Sequence, residues 1–131
     1  MERLPGFSWD DYTRVLAGLR AAGYRFWRLS EEGSGKSCWL RHDLDLHLEV
    51  LDQVSSLEAS LGVVATYYIL VTGPYNPASA VNRARLRRLV ERGHEVGLHY
   101  DLSLYPQDVS SARARLDFPP RSPRSRTACV A

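Results

Sequence analysis

The sequence predicts an α/β chain in which parallel strands alternate with helices, as in an open sheet or a (β/α) barrel. Three observations carry this. Apolar stripes at helical spacing alternate with short β-branched and aromatic runs. Each helical stripe stops at a glycine, Gly23, Gly62 or Gly93. The run 63–71, Val-Val-Ala-Thr-Tyr-Tyr-Ile-Leu-Val, is almost wholly apolar or aromatic, as a strand covered on both faces must be. Right-handed βαβ units of this kind bring the C-terminal ends of all strands to one edge, where such folds place their sites.

The first helix opens at Phe7-Ser8-Trp9-Asp10-Asp11-Tyr12. Ser8 is the expected N-cap, Asp11 closes a carboxylate form of the capping box, and Phe7 and Tyr12 are spaced for a hydrophobic staple. Tyr12, Val15, Leu16, Leu19 and Ala22 form its stripe, and Gly23 ends it. Residues 24–29 read as a short strand and the polar, glycine-rich stretch 30–37 as a loop. Residues 38–42 are the next strand. A second helix is expected from about 46 to 61, with Leu48, Leu51, Val54, Leu57 and Leu61 inward. After the strand at 63–71, Asn76-Pro77 reads as an N-cap with proline at the first helical position of a third helix, about 77–92. That helix packs through Leu86, Leu89 and Val90, and the strand 95–99 follows it.

Composition bounds the function. A chain of 131 residues, 44% hydrophobic and 24% charged, is one globular domain at most. No apolar run reaches the length of a membrane span and the first residues lack the pattern of a secretory signal, so a cytoplasmic location is expected and no membrane partner. Cys38 and Cys129 form no disulfide or zinc-cluster pattern. The net charge of +2 is set by the end of the chain: residues 1–112 carry twelve Lys and Arg against fourteen Asp and Glu, whereas 113–131 carry five Arg against Asp117. Arg83, Arg85, Arg87, Arg88 and Arg92 lie on a helix without interleaved aromatics, so a solvated face is expected there rather than a nucleic-acid site.

All four histidines fall in two short stretches, Arg41-His42-Asp43-Leu44-Asp45-Leu46-His47 and Gly93-His94-Glu95-Val96-Gly97-Leu98-His99-Tyr100-Asp101. Imidazole and carboxylate are the ligands that zinc and its neighbours accept. Asp43 and Asp45, one residue apart, emerge on the same side of an extended segment. Asp45 alone would read equally well as a helix cap. Topology sets both aspartates just past one strand end, His99 and Asp101 past another, and Tyr75 and Asn76 in the loop between. His94, at the start of its strand, belongs to the opposite rim and reads as a turn residue. His42 reads as partly buried, His47 as an additional candidate ligand, and Asp101 as a ligand or as the group that orients His99.

The three stretches Trp39-Leu40-Arg41-His42-Asp43-Leu44-Asp45, Leu61-Gly62-Val63-Val64-Ala65-Thr66-Tyr67-Tyr68-Ile69 and Gly93-His94-Glu95-Val96-Gly97-Leu98-His99-Tyr100-Asp101 resemble, in that order, the polysaccharide deacetylase (NodB-homology, carbohydrate esterase family 4) family. The resemblance covers about residues 7–112. It implies a distorted (β/α) barrel around one divalent metal, usually Zn2+ and otherwise Co2+ or Ni2+, that hydrolyses N-acyl groups of sugars. It implies Asp43 as catalytic base, Asp45 and His99 as metal ligands, Asp101 or His47 as candidates to complete the set, and Tyr75, Asn76 and Tyr100 on the substrate side. The metal would polarise the acyl carbonyl and acidify a water whose proton a carboxylate accepts. Two departures stand out. Leu44 separates aspartates that the family more often has adjacent, so the roles of Asp43 and Asp45 are interchangeable. Ser103 occupies the position of the family's second metal histidine.

A complete (β/α) barrel needs about 200 residues or more, and here the resemblance stops at about residue 112, within what begins as another helix. Residues 113–131, rich in Pro, Arg and Ser, read either as a disordered tail or, the favoured reading, as a frame-shifted continuation. The expectation is therefore an incomplete barrel with impaired activity on an acylated sugar or polysaccharide, its open sheet edges prone to self-association. A non-catalytic half-barrel that binds metal or a partner is the alternative, and a metal-dependent phosphoesterase a third reading.

Overall fold

The computed structural model describes residues 8–101 and 103. In chain order the elements are α1 (Trp9–Ala21), β1 (Arg25–Trp27), β2 (Ser37–Trp39), β3 (Arg41–Leu44), α2 (Leu51–Ser60), β4 (Thr66–Leu70), α3 (Ala80–Glu91) and β5 (Glu95–His99). Strands β3, β4 and β5 form a parallel sheet in that order, and β1 pairs in parallel with β2. The chain is thus mixed α/β with parallel strands alternating with helices, and no barrel closes among the described residues. The expected single strand at 38–42 is two, broken at Leu40, whose carbonyl accepts from Thr66 N–H. The expected tail at 113–131 and the Phe7 staple lie outside the described residues.

Local chemistry sets the element ends. At α1 the Ser8 hydroxyl accepts from Asp11 N–H at 3.1 Å while the Asp11 carboxylate accepts from Ser8 N–H, the reciprocal box expected of this pair, which contributes about 1 kcal/mol. Gly23 and Gly93 leave α1 and α3 with φ of 89° and 93°, where a Cβ is strained. Helix α3 begins three residues later than Asn76-Pro77 suggests. Ser79 is its N-cap, accepting from Asn82 N–H, while Asn76 Oδ1 accepts from Ala78 N–H in a turn ahead of the helix. Helix α2 likewise starts at Leu51 rather than near residue 46, and Asp45, the carboxylate placed to cap the longer helix, faces His99 instead.

Pleating puts His42 and Leu44, Tyr67 and Ile69, and Val96 and Leu98 on one face of the sheet. Most of these face the helices: Leu44, Tyr67, Ile69 and Val96 are buried with Leu48, Leu51, Ala65 and Leu89. A second cluster of Leu16, Phe26 and Val63 sits under α1, and Leu40 packs against both. Three residues expected to pack do so poorly, among them Ala22 at the end of α1, which is exposed. Val15 is 59% exposed and Val90 45% exposed, each at the margin of a stripe whose centre carries the burial. Between α2 and α3, Asp52 receives both a two-pronged pair from Arg88 at 2.7 Å and a bond from Arg92 at 3.1 Å, so two of the five helix arginines, while keeping contact with solvent, also tie α3 to α2.

Candidate metal centre

The opposite face of the sheet carries Asp43, Tyr68 and Gly97, which are register partners across β3, β4 and β5. Two residues further toward the C-terminal edge, period-two alternation brings Asp45 and His99 to the same face. They meet there. Asp45 Oδ1 lies 3.2 Å from His99 Nε2, spanning the width of β4 between them. The topological expectation of convergence is realised for this pair. Both side chains keep contact with solvent, His99 less than Asp45.

The other candidates are placed differently. Asp43 lies inside β3 rather than beyond it, because pairing with β4 continues to Leu44 opposite Ile69. Its carboxylate accepts from Arg41 Nε at 2.8 Å, and the Arg41 guanidinium stacks 4.2 Å over the Tyr68 ring. Asp101 accepts from the Ser103 amide and hydroxyl, and these bonds, with His99 nearby, hold its carboxyl below the usual range. Ser103 thus orients Asp101. His47 is turned to Glu49 at 3.1 Å on an exposed turn. Tyr75 is a strut: its hydroxyl donates to the Leu44 carbonyl and accepts from Leu70 N–H at 2.8 Å, tying the C-terminal ends of β3 and β4 together. Asn76 caps its own turn, and Tyr100 is exposed at the same edge.

A tetrahedral zinc with ligand bonds near 2.0–2.1 Å holds neighbouring donor atoms about 3.3 Å apart. The Asp45–His99 separation of 3.2 Å fits two positions of such a site. Among the described residues no group of three or more His, Cys, Asp or Glu side chains gathers as a metal site.

Sequence reasoning missed the other cluster of ionisable groups. Glu58, on α2, is fully buried, and its carboxylate accepts from the Tyr12 hydroxyl at 2.6 Å, the Tyr67 hydroxyl at 2.5 Å and His42 Nε2 at 2.5 Å. Burial pushes its pKa up, but the His42 bond and charge and the two tyrosine bonds outweigh burial and hold it below the usual range. Burial and the carboxylate together push both tyrosine hydroxyls far up. His94, read from the sequence as a turn residue on the opposite rim, directly precedes β5 and is built into the core. It is 2% exposed, its Nδ1 accepts from Ala65 N–H at 3.1 Å and its Nε2 lies 3.0 Å from the Ser55 carbonyl. These partners require the neutral ring with its proton on Nε2. The signal for Glu58 was present: it sits seven residues after Leu51 and four after Val54, on the inward stripe.

Compared with protein-family descriptions, curated proteins and solved structures, the chain matches none. The functional reading therefore rests on the residues themselves. No helix among the described residues is long and apolar enough to cross a membrane.

Proposed function

We propose that this chain is the N-terminal part of a (β/α) barrel of the polysaccharide deacetylase type, a metal-dependent hydrolase of N-acyl bonds in sugars. The observation that carries the reading is the meeting of Asp45 and His99 at 3.2 Å on the C-terminal edge of a parallel sheet, the edge where such folds hold their chemistry. Asp45 and His99 would hold the metal, Zn2+ in the first instance, and Asp101, anchored by Ser103, stands beside His99. The metal would supply Lewis acidity toward the acyl carbonyl and toward water. Asp43, on the same face one pleat earlier, is the carboxylate positioned to take a proton, with Arg41 bracing it. Tyr100 lines the rim where an acylated sugar would approach, whereas the roles of Tyr75 and Asn76 are to shape the loop.

One observation favours a second, non-catalytic reading. Among the described residues two ligating side chains meet here, one fewer than the three protein ligands of a typical catalytic zinc site. A half-barrel that binds metal weakly, without turnover, is the reading that this pair alone would support.

Zinc titration by calorimetry of the full chain, Asp45→Ala and His99→Ala, followed by hydrolysis of acetylated amino-sugar oligomers with and without Asp43→Ala, separates the readings. Zinc binding lost in both ligand variants, with amine release lost in Asp43→Ala, is expected. Binding without amine release supports the non-catalytic reading, cleavage of phosphate esters would favour a phosphoesterase, and binding unchanged in both ligand variants removes the site.

A further inference from the structure

Helix α3 divides its charged residues between two flanks. Arg88 and Arg92 bind Asp52 of α2, whereas Arg83, Leu86, Arg87, Val90 and Glu91, spaced as one helical stripe, lie on another side. That stripe is the wall of a groove of about 640 Å3 whose floor is Ile69, Val96 and Leu98, from the helix-bearing face of the sheet. Val90 is exposed there, and among the described residues neither Arg87 nor Glu91 has an ion pair.

The groove runs beside an open strand. Among the described residues β5 pairs with β4 alone. Glu95 N–H donates to the Ala65 carbonyl on the β4 side, so alternation along the ladder turns the backbone groups of Val96 and Leu98 toward the open edge. An occupant that satisfies edge and groove together must bring a strand for the one and a helix for the other. A second copy of β5 and α3, related by a two-fold axis, brings both. Helix α3 covers β4 and β5, with Leu89 buried against Ile69 and Val96. Joining two β5 strands antiparallel then sets the two α3 helices two strand spacings apart, or ~10 Å, which is the separation of packed helices.

Charge selects the register. The two-fold makes the α3 helices antiparallel, and an axis at Arg87 would oppose that residue to its own copy. An axis between Arg87 and Glu91 instead sets each Arg87 against Glu91 of the other copy, twice, with the two Val90 side chains between these pairs. We propose that this chain forms a two-fold dimer, β5 against β5 and α3 against α3, with Val90 beside the axis and reciprocal Arg87–Glu91 pairs flanking it. The Asp45–His99 pair lies on the other face of the sheet and stays uncovered by this contact.

Sedimentation of the full chain in the presence of a metal chelator tests this, with far-ultraviolet dichroism to confirm that each variant folds. A dimer is expected. Arg87→Glu and Glu91→Arg should each weaken it by about tenfold or more, because like charges then meet twice, and the two together should restore it. In a Cys38→Ala, Cys129→Ala background, Val90→Cys should oxidise to a covalent dimer, whereas Val15→Cys, exposed on α1, should not. A chain that is monomeric at every concentration accessible to sedimentation would overturn the proposal and hand the groove to another occupant. So would a dimer indifferent to both single reversals, a double reversal that fails to restore association, or equal cross-linking of Val15→Cys and Val90→Cys, each of which places the contact on a different surface.

Discussion

Glu58 of α2 accepts a 2.5 Å hydrogen bond from Tyr67 of β4 at a point that water does not reach, both residues being at most 1% exposed. The same carboxylate takes Tyr12 from α1 and His42 from β3, so one acidic side chain joins four elements. Removing it leaves three buried or half-buried donors without an acceptor. Glu58→Ala should therefore lower the unfolding free energy by about 3–5 kcal/mol, the cost of breaking a buried charged network. Tyr67→Phe, which removes a single donor, should cost about 1–3 kcal/mol. Urea denaturation of the three proteins checks both, and equal midpoints would contradict the network's role.

Acid should weaken the fold in two stages. Burial holds the His94 pKa below its usual 6.5 against the opposing Ser55 bond, so the folded ring binds fewer protons than the unfolded one. Its contribution is complete above about pH 6.5 and is lost as pH falls below that value. Glu58 and Asp52 also have lowered pKa values, Asp52 reaching about 2 through Arg88 despite some burial. Their contributions are present above the unfolded values of 4.5 and 3.8 and disappear as pH falls through the folded ones. Denaturation midpoints from pH 8 to 3 should fall first below about 6.5 and again below about 4.5. His94→Gln should abolish the first fall, and a profile unchanged by that substitution would reject the assignment.

Much of the fold was legible because it is written in local chemistry. The capping pair Ser8 and Asp11, the glycine stops, and β5 with its ends at Glu95 and His99 all follow from signals within a few residues. The meeting of Asp45 with His99 was legible too, since parallel topology alone brings those strand ends together. What escaped depends on pairing at a distance. That His42 and Tyr67 are register partners, and that both point at Glu58, is fixed by the alignment of β3 with β4 and by the angle of α2. No spacing within one segment records it. The same applies to Tyr75, which reads as a rim residue from its loop and is a strut because Leu44 and Leu70 end at the same level.

The role of Tyr75 can be separated from substrate contact. Tyr75→Phe keeps the ring packed against the core but strips the acceptor from Leu70 N–H and the donor from the Leu44 carbonyl. Stability should drop by about 1–3 kcal/mol. Hydrogen exchange at Leu70 should accelerate in proportion, while exchange at Leu16, in the cluster under α1, stays as it was. Unaltered exchange at Leu70 would return Tyr75 to the rim.

The Asp45–His99 pair makes the sharpest prediction, because a metal site and a plain ion pair differ in how strongly they couple. As a partly exposed pair without metal, the two side chains should show an interaction of about 0.2–1 kcal/mol in a double-mutant cycle of Asp45→Ala, His99→Ala and both. If they share a zinc, stabilisation by the ion depends on both, since binding to the folded state adds RT ln(1 + [L]/Kd). At zinc well above its dissociation constant, each single variant should then lose nearly the whole zinc-induced rise in Tm, and the double variant should lose little more. The cycle measured with and without zinc decides the matter: a coupling that grows with the ion assigns the pair to metal, and one that stays below 1 kcal/mol leaves it as a hydrogen bond across β4.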